Sequence, residues 1–244
     1  LSYENIIKQQ IINWIPVFLK PPGFFEKTSK KISTKINTWI PQKVHNAITA
    51  AVKAIVRTTL FGAEYTPKGK VQLGLTLEES DKKAHETLSL YQKIATAEGA
   101  GTGAGGILLN IVDFPALIAI KLKLLFELAH VYGYNTNEFS ERIFILTVFQ
   151  MAFTNPDQRE QLLHTIQNWD EHKVKWISDK DYYQSFDWET FQKEYRDSID
   201  FRKLLQMIPG IGAVAGALAN YSIVEDLGEV SLHCYQIRRL AELA

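Results

Sequence analysis

The run Glu98-Gly-Ala-Gly-Thr-Gly-Ala-Gly-Gly106 decides how this chain is read. Five of the eight residues from Gly99 to Gly106 are glycine. A glycine inside a helix costs about 1 kcal/mol relative to alanine. The run is therefore either a loop or a helix face that another backbone approaches closely. A second small-residue run, Pro209-Gly-Ile-Gly-Ala-Val-Ala-Gly-Ala-Leu-Ala219, stands far down the chain. Gly101-Thr-Gly103-Ala-Gly105-Gly106 also fits the glycine pattern of dinucleotide sites, but that pattern works only between a strand and a helix. Residues Leu77–Ala97 before it read as helix, so no nucleotide site is expected, and no Gly-Lys-Ser/Thr follows.

Spacing favours close packing instead. Ala97, Gly101 and Gly105 recur every fourth residue, as do Ile208, Gly212, Gly216 and Asn220. Small residues at that spacing let two helix backbones interlock. Gly101, Gly105, Gly212 and Gly216 are the expected packing positions.

Outside the two runs helical spacing dominates and strand signals are few. Ile7, Ile11, Trp14, Ile15 and Phe18 share a face over residues 4–19, with Pro16 interrupting the pattern. Residues 28–40 and a further stretch opening at Pro41 also read as helices. Thr76-Leu-Glu-Glu79 is a capping box opening the helix that enters the glycine run. Asp113-Phe-Pro115 reads as a helix start and Gly133 as its end. Helices are expected over 138–153, from Asn155-Pro156-Asp157 to Ile177, from about 187 to Ile199, and after Pro209 to Leu240. The fold class is all-α, a multi-helix bundle of roughly ten helices around two Gly/Ala-rich, closely packed central segments.

Composition limits the functions available. Apolar residues make up 46% of the 244, enough for a substantial core. One cysteine, Cys234, rules out an internal disulfide and a cysteine-based zinc site. His45, His85, His130, His164, His172 and His233 are scattered, so no metal is expected, and neither is a cofactor. No nucleophile elbow or Cys/His signature is present.

The net charge of zero conceals two opposed halves. Residues 1–70 carry 11 Lys/Arg against 3 Asp/Glu; residues 71–244 carry 16 against 24. The basic part also holds Trp14, Phe18, Phe24, Phe25 and Trp39. Basic, aromatic segments are drawn to anionic membrane surfaces. Trp14, Phe18, Lys20, Phe24, Phe25, Lys27, Lys30 and Lys31 are the expected membrane-surface residues. The alternative is docking of this part on the acidic remainder, while nucleic acid is not an expected partner. The boundary falls near Pro67-Lys68-Gly69, giving a basic segment over 1–70 and a helical domain over 71–244. Residues 204–224 carry no charge until Glu225. Their large apolar side chains contribute only about −2 to −5 kcal/mol to insertion, offset by polar residues and glycines, so surface association is expected over constitutive spanning. No signal peptide is read at the start of the chain, and a cytoplasmic protein peripheral to the membrane is expected.

The residues resemble a known family at this point. Ala97 through Gly106, followed by Asp113-Phe-Pro-Ala-Leu117, is similar to the central signature of the EcsC protein family, as are Tyr132-Gly-Tyr134 and Glu141-Arg142-Ile-Phe144. Ile208 through Gly216, with Asn220-Tyr-Ser222 and Asp226, resembles the closing motif. The resemblance marks Glu98, Asp113, Glu141, Asn220 and Asp226 as family-motif polar residues. It implies no established catalytic activity, and it implies a link to ABC transporter subunits, beside which the member that names the family is encoded. A non-enzymatic, membrane-associated or lipid-binding helical protein is the leading expectation. The alternatives are an enzyme or lipid-handling protein with acid–base candidates Glu98 and Asp113, and a protein-interaction scaffold.

Overall fold

The computed structural model describes residues 2–20, 69–103, 114–154, 156–178 and 212–243, with positions 50, 53, 57 and 58. These residues form seven helices and, among them, no strand. The all-α expectation holds; the count of about ten helices is not matched. The helices expected over 28–40 and from 187 lie outside the described residues; of the one opening at Pro41 only positions 50 and 53, with 57 and 58 beyond, are described, and they are helical.

Helix α1 spans Tyr3–Phe18. Ser2 caps it, its hydroxyl accepting from the Asn5 N–H. Pro16 does not interrupt the helix, contrary to expectation. Ile7, Ile11 and Phe18 are buried on one face, and that burial spans the turn from which Pro16 removes a backbone donor.

Helix α2 spans Leu77–Gly103. The capping box forms as the sequence specifies: Glu79 Oε2 accepts from the Thr76 N–H at 2.9 Å, and Thr76 Oγ1 accepts from the Glu79 N–H at 3.2 Å. The backbone bond from Thr76 holds the Glu79 carboxyl below its ordinary value. The helix enters the glycine run and includes Gly99, Gly101 and Gly103, so the run is not a loop up to that point.

Helix α3 spans Phe114–Val131. It stops because Gly133 takes φ +93°, a conformation that side chains rarely adopt. The Tyr134 N–H then reaches Ala129 O at 2.9 Å and the Gly133 N–H reaches His130 O at 3.1 Å, a Schellman termination. Helix α4 spans Phe139–Phe153 and is buried around almost its whole circumference, including Glu141 and Arg142. A helix with so little exposed face occupies the centre of the bundle.

The single helix expected over 156–177 is two, α5 (Pro156–Gln167) and α6 (Trp169–Ser178). Asn168 breaks it: its side-chain amide donates to His164 O at 2.9 Å, and its own carbonyl accepts from the Glu171 and His172 N–H groups. The asparagine thus supplies a local alternative to the helical ladder.

Helix α7, Gly212–Glu242, packs against α1, α2, α3, α4 and α5. Its most extensive partner is α2, and the two run antiparallel: Asp81 meets Gln236, Leu88 meets Gly228, and Glu98 meets Asn220.

Candidate functional site

Three polar centres lie along the contact of α7 with its neighbours. The first is built on Asp81, on the inner face of α2 and only 1% exposed. A carboxylate so placed needs partners for its lone pairs. Its Oδ1 accepts from the Tyr132 hydroxyl at 2.5 Å, and its Oδ2 accepts from the Tyr3 hydroxyl at 2.8 Å and from Gln236 Nε2 at 3.0 Å. Burial and the adjoining Asp81 carboxylate push both tyrosine hydroxyls well above their ordinary range, so they stay protonated donors.

The network extends one residue further. Gln236 turns its amide nitrogen to Asp81, which leaves its Oε1 facing His233 Nδ1 at 3.0 Å. An amide oxygen only accepts, so Nδ1 of His233 carries the proton. Burial lowers the His233 pKa. The ring of Trp14 lies 4.4 Å from the His233 ring, and Trp14 stacks on Phe18 at 4.6 Å.

The second centre is an ion pair inside the bundle. Arg238 Nη1 and Nη2 each donate to a Glu141 carboxylate oxygen at 2.6 Å. The guanidinium lies 3.7 Å from the Tyr134 ring centroid and 4.8 Å from that of Phe144. Burial alone lowers an arginine pKa; the Glu141 hydrogen bonds and charge outweigh it here and raise the Arg238 value. Arg239, the next residue, donates to the carbonyls of Tyr132 and Leu75 at 3.0 and 2.9 Å, tying the segment before α2 and the end of α3 to α7.

The third centre joins the two small-residue runs. Asn220 Nδ2 donates to Glu98 Oε2 at 2.7 Å. Asn220 is 2% exposed and Glu98 half-buried.

The structure brings two of the acidic family-motif residues into separate places. Glu98 lies with Asn220 between α2 and α7, and Glu141 with Arg238 between α4 and α7. Asp226 is half-buried on α7. Asp113 and Gly105 lie outside the described residues; Gly101 is within α2, and Gly212 and Gly216 are within α7. Of the expected membrane-surface residues, Phe24, Phe25, Lys27, Lys30 and Lys31 lie outside the described residues. Lys20 is exposed, whereas Phe18 is buried and Trp14 packs on α7. Among the described residues no group of three or more His, Cys, Asp or Glu side chains could hold a metal ion. His164 and His172 sit with ring centroids 6.5 Å apart.

Sequence reasoning missed Asp81 and Arg238, yet both leave a trace. Asp81 stands between Leu77, Ala84 and Leu88 on the apolar stripe of its helix, and Arg238 follows Leu227, Ser231 and Cys234 in the same way. A charge on an apolar stripe signals a buried partner. Gly228 was missed as well. A Cβ there would lie 2.3 Å from Leu88 Cδ1, so the Leu88 side chain rests against the bare backbone of residue 228 and must shift if a side chain is added.

These features define a class: an all-helical bundle around one long C-terminal helix, tied to its neighbours by buried polar centres. The chain belongs to the EcsC protein family, whose model matches residues 5–240. It is 43% identical over 244 residues to Protein EcsC of Bacillus subtilis (strain 168), covering 100% of this chain and 99% of that protein. It is also 33% identical over 149 residues to Uncharacterized protein YdbA of the same strain, covering 61% of this chain and 53% of that one. No solved structure is significantly similar.

Proposed function

We propose that this protein is a non-enzymatic helical protein that associates with the surface of an anionic membrane through its basic N-terminal part. The observation that carries the reading is the division of charge: 11 Lys/Arg against 3 Asp/Glu in residues 1–70, interleaved with Trp14, Phe18, Phe24, Phe25 and Trp39. Each basic residue near an anionic surface contributes about 1 kcal/mol, and aromatic rings favour the interface. Among the described residues no helix is long and apolar enough to cross a membrane, which leaves surface attachment as the mode to test there. Lys8 on α1 and Lys20 just beyond it are exposed.

The polar centres support a non-catalytic reading. Asp81 is occupied by three donors, and Glu141 has both oxygens bound by Arg238. Groups saturated by the protein's own side chains hold the fold and have little capacity left for a substrate. Partnership with transporter subunits, which the family resemblance implies, is the companion proposal.

Co-sedimentation with vesicles tests the reading. Phosphatidylglycerol-containing vesicles recover the protein at low salt, neutral phosphatidylcholine vesicles do not, and Gln at Lys20, Lys27, Lys30 and Lys31 abolishes the difference. Equal recovery on both vesicle types, untouched by those substitutions, removes the proposal. Co-purification of an ABC transporter subunit from detergent-solubilised membranes at high salt would instead favour a protein partner.

A further inference from the structure

The floor beneath α1 is unusually polar for a helix that covers a core. Tyr3 meets Asp81, Trp14 meets His233, and Phe18 meets Arg159, whose guanidinium carbon lies 4.7 Å from the phenyl centroid and whose Nη1 donates to Phe18 O at 2.8 Å. These three contacts span α1 from its first turn to its last. Only Ile7, Ile11 and Phe18 of the helix are buried. Such mixed contact is characteristic of surfaces that separate rather than of permanent cores. When α1 leaves, Asp81, His233 and Arg159 regain water, so hydration returns part of what the contact supplied. An opening of this kind is a local transition below the free energy of global unfolding.

The side chains that face this floor are also the ones suited to lipid. Ile7, Ile11, Trp14 and Phe18 lie on one face, and exposed Lys8 and Lys20 accompany them. The outer side is mixed: Gln9, Gln10 and Asn13 are exposed there, and so are Ile6, Ile12 and Val17. The same face cannot occupy the groove and a bilayer at once.

We propose that α1 is a releasable strap whose inner face, Ile7, Ile11, Trp14 and Phe18, exchanges its groove on α2, α5 and α7 for the surface of an anionic bilayer. The inference rests on the membrane reading above and assigns its regulation: docking on the body competes with docking on lipid. A protein whose binding-competent state is only fractionally populated binds more weakly by that fraction. Loosening the strap therefore strengthens membrane binding, the opposite of what damage to a binding surface does.

Tyr3→Phe keeps the ring and deletes the donor to Asp81. Trp14→Ala loosens the strap and also removes its largest lipid-facing side chain. Hydrogen–deuterium exchange of residues 3–18 reports opening, with circular dichroism to confirm the fold. Sedimentation with phosphatidylglycerol vesicles reports binding. The expected result is faster exchange confined to α1 in both variants, with about tenfold stronger partitioning for Tyr3→Phe, the size of one lost hydrogen bond to a charged acceptor. Trp14→Ala shows no such gain. His233→Ala serves as the second loosening variant and follows Tyr3→Phe. If the wild type binds anionic vesicles and both loosened variants bind equally well, the strap is overturned and the membrane reading stands. Exchange of α1 as slow as that of α7 in every variant overturns it likewise. If neither the wild type nor the loosened variants bind, the membrane reading falls and the lipid role of α1 falls with it.

Discussion

Arg238 holds both carboxylate oxygens of Glu141 at 2.6 Å, and only 5% and 6% of the two side chains are exposed. Such a pair contributes less than its short distances suggest, because both charges left water to form it. Breaking it is another matter. Glu141→Ala strands a guanidinium between Tyr134 and Phe144, and the expected cost is about 3–5 kcal/mol in urea unfolding. The double variant Glu141→Leu/Arg238→Met removes both charges, and its loss is smaller than that of Glu141→Ala. Additive losses would show that the two charges do not act as a unit.

Leu88 of α2 rests against Gly228 of α7. A methyl group at 228 meets Leu88 Cδ1 at 2.3 Å and Cγ at 3.0 Å, in a place where Leu88 is itself buried. Gly228→Ala gains helix propensity of about 1 kcal/mol. It loses more, about 1–3 kcal/mol, through overpacking. Gly228→Ala is therefore destabilising, and adding Leu88→Ala costs less in that background than in the wild type. Thermal unfolding of the four proteins in the cycle measures the coupling. A stabilised Gly228→Ala would mean that the helices part without loss.

The features legible in the sequence are those settled within a turn or two of chain. Thr76 and Glu79 find each other across three residues, and Gly133 ends α3 through bonds to His130 and Ala129. The break at Asn168 is equally local but was hidden, because apolar spacing continues through it and asparagine is tolerated within helices. The buried centres were illegible for a different reason. Gln236 and Asp81 lie 155 residues apart, and Arg238 and Glu141 lie 97 apart. A charged residue on an apolar stripe announces that a partner exists, and only tertiary packing chooses which. Glu141 was marked through the family resemblance, while its partner was not. The membrane-surface set meets the same limit: Trp14 and Phe18 carry the right chemistry for lipid, and the sequence gives no sign that α7 and Arg159 also engage them.

Stability falls as pH drops below the ordinary histidine range. Burial lowers the pKa of both His130 and His233. Between the lowered native value and the ordinary value near 6.5, the unfolded chain binds more protons than the native one. The contribution of each histidine is thus present at higher pH and is lost as pH falls through that window. Glu229 opposes them: burial, then the charges of Asp226 and Glu225, raise its pKa, so its proton is held more tightly in the folded state. Two histidines against one carboxyl predict a lower urea midpoint at pH 5.5 than at pH 7.5. His130→Gln and His233→Gln each flatten the slope, and Glu229→Gln steepens it. A midpoint that rises on acidification would assign the dominant role to Glu229.

Asp81 is the junction at which four segments of the chain are joined, since Tyr3, Tyr132 and Gln236 all donate to the carboxylate borne by α2. Asp81→Asn keeps the size of the side chain but replaces one acceptor oxygen by an amide that must donate. Whichever way the amide turns, it opposes at least one donor: the Tyr132 hydroxyl on one side, or the Tyr3 hydroxyl and the Gln236 amide on the other. A hydrogen bond to a charged acceptor is worth about 1.5–3 kcal/mol, and an unmet buried donor costs about 1–3 kcal/mol, so a loss of about 2–4 kcal/mol is expected in urea unfolding. Tyr132→Phe loses more than Tyr3→Phe, because Tyr132 is fully buried and Tyr3 only partly so. The distinguishing readout is local: Asp81→Asn speeds hydrogen exchange in α1 as well as in α2 and the Tyr132 segment, because a single carboxylate holds all three. Exchange altered in α2 alone would reduce Asp81 to a residue of its own helix.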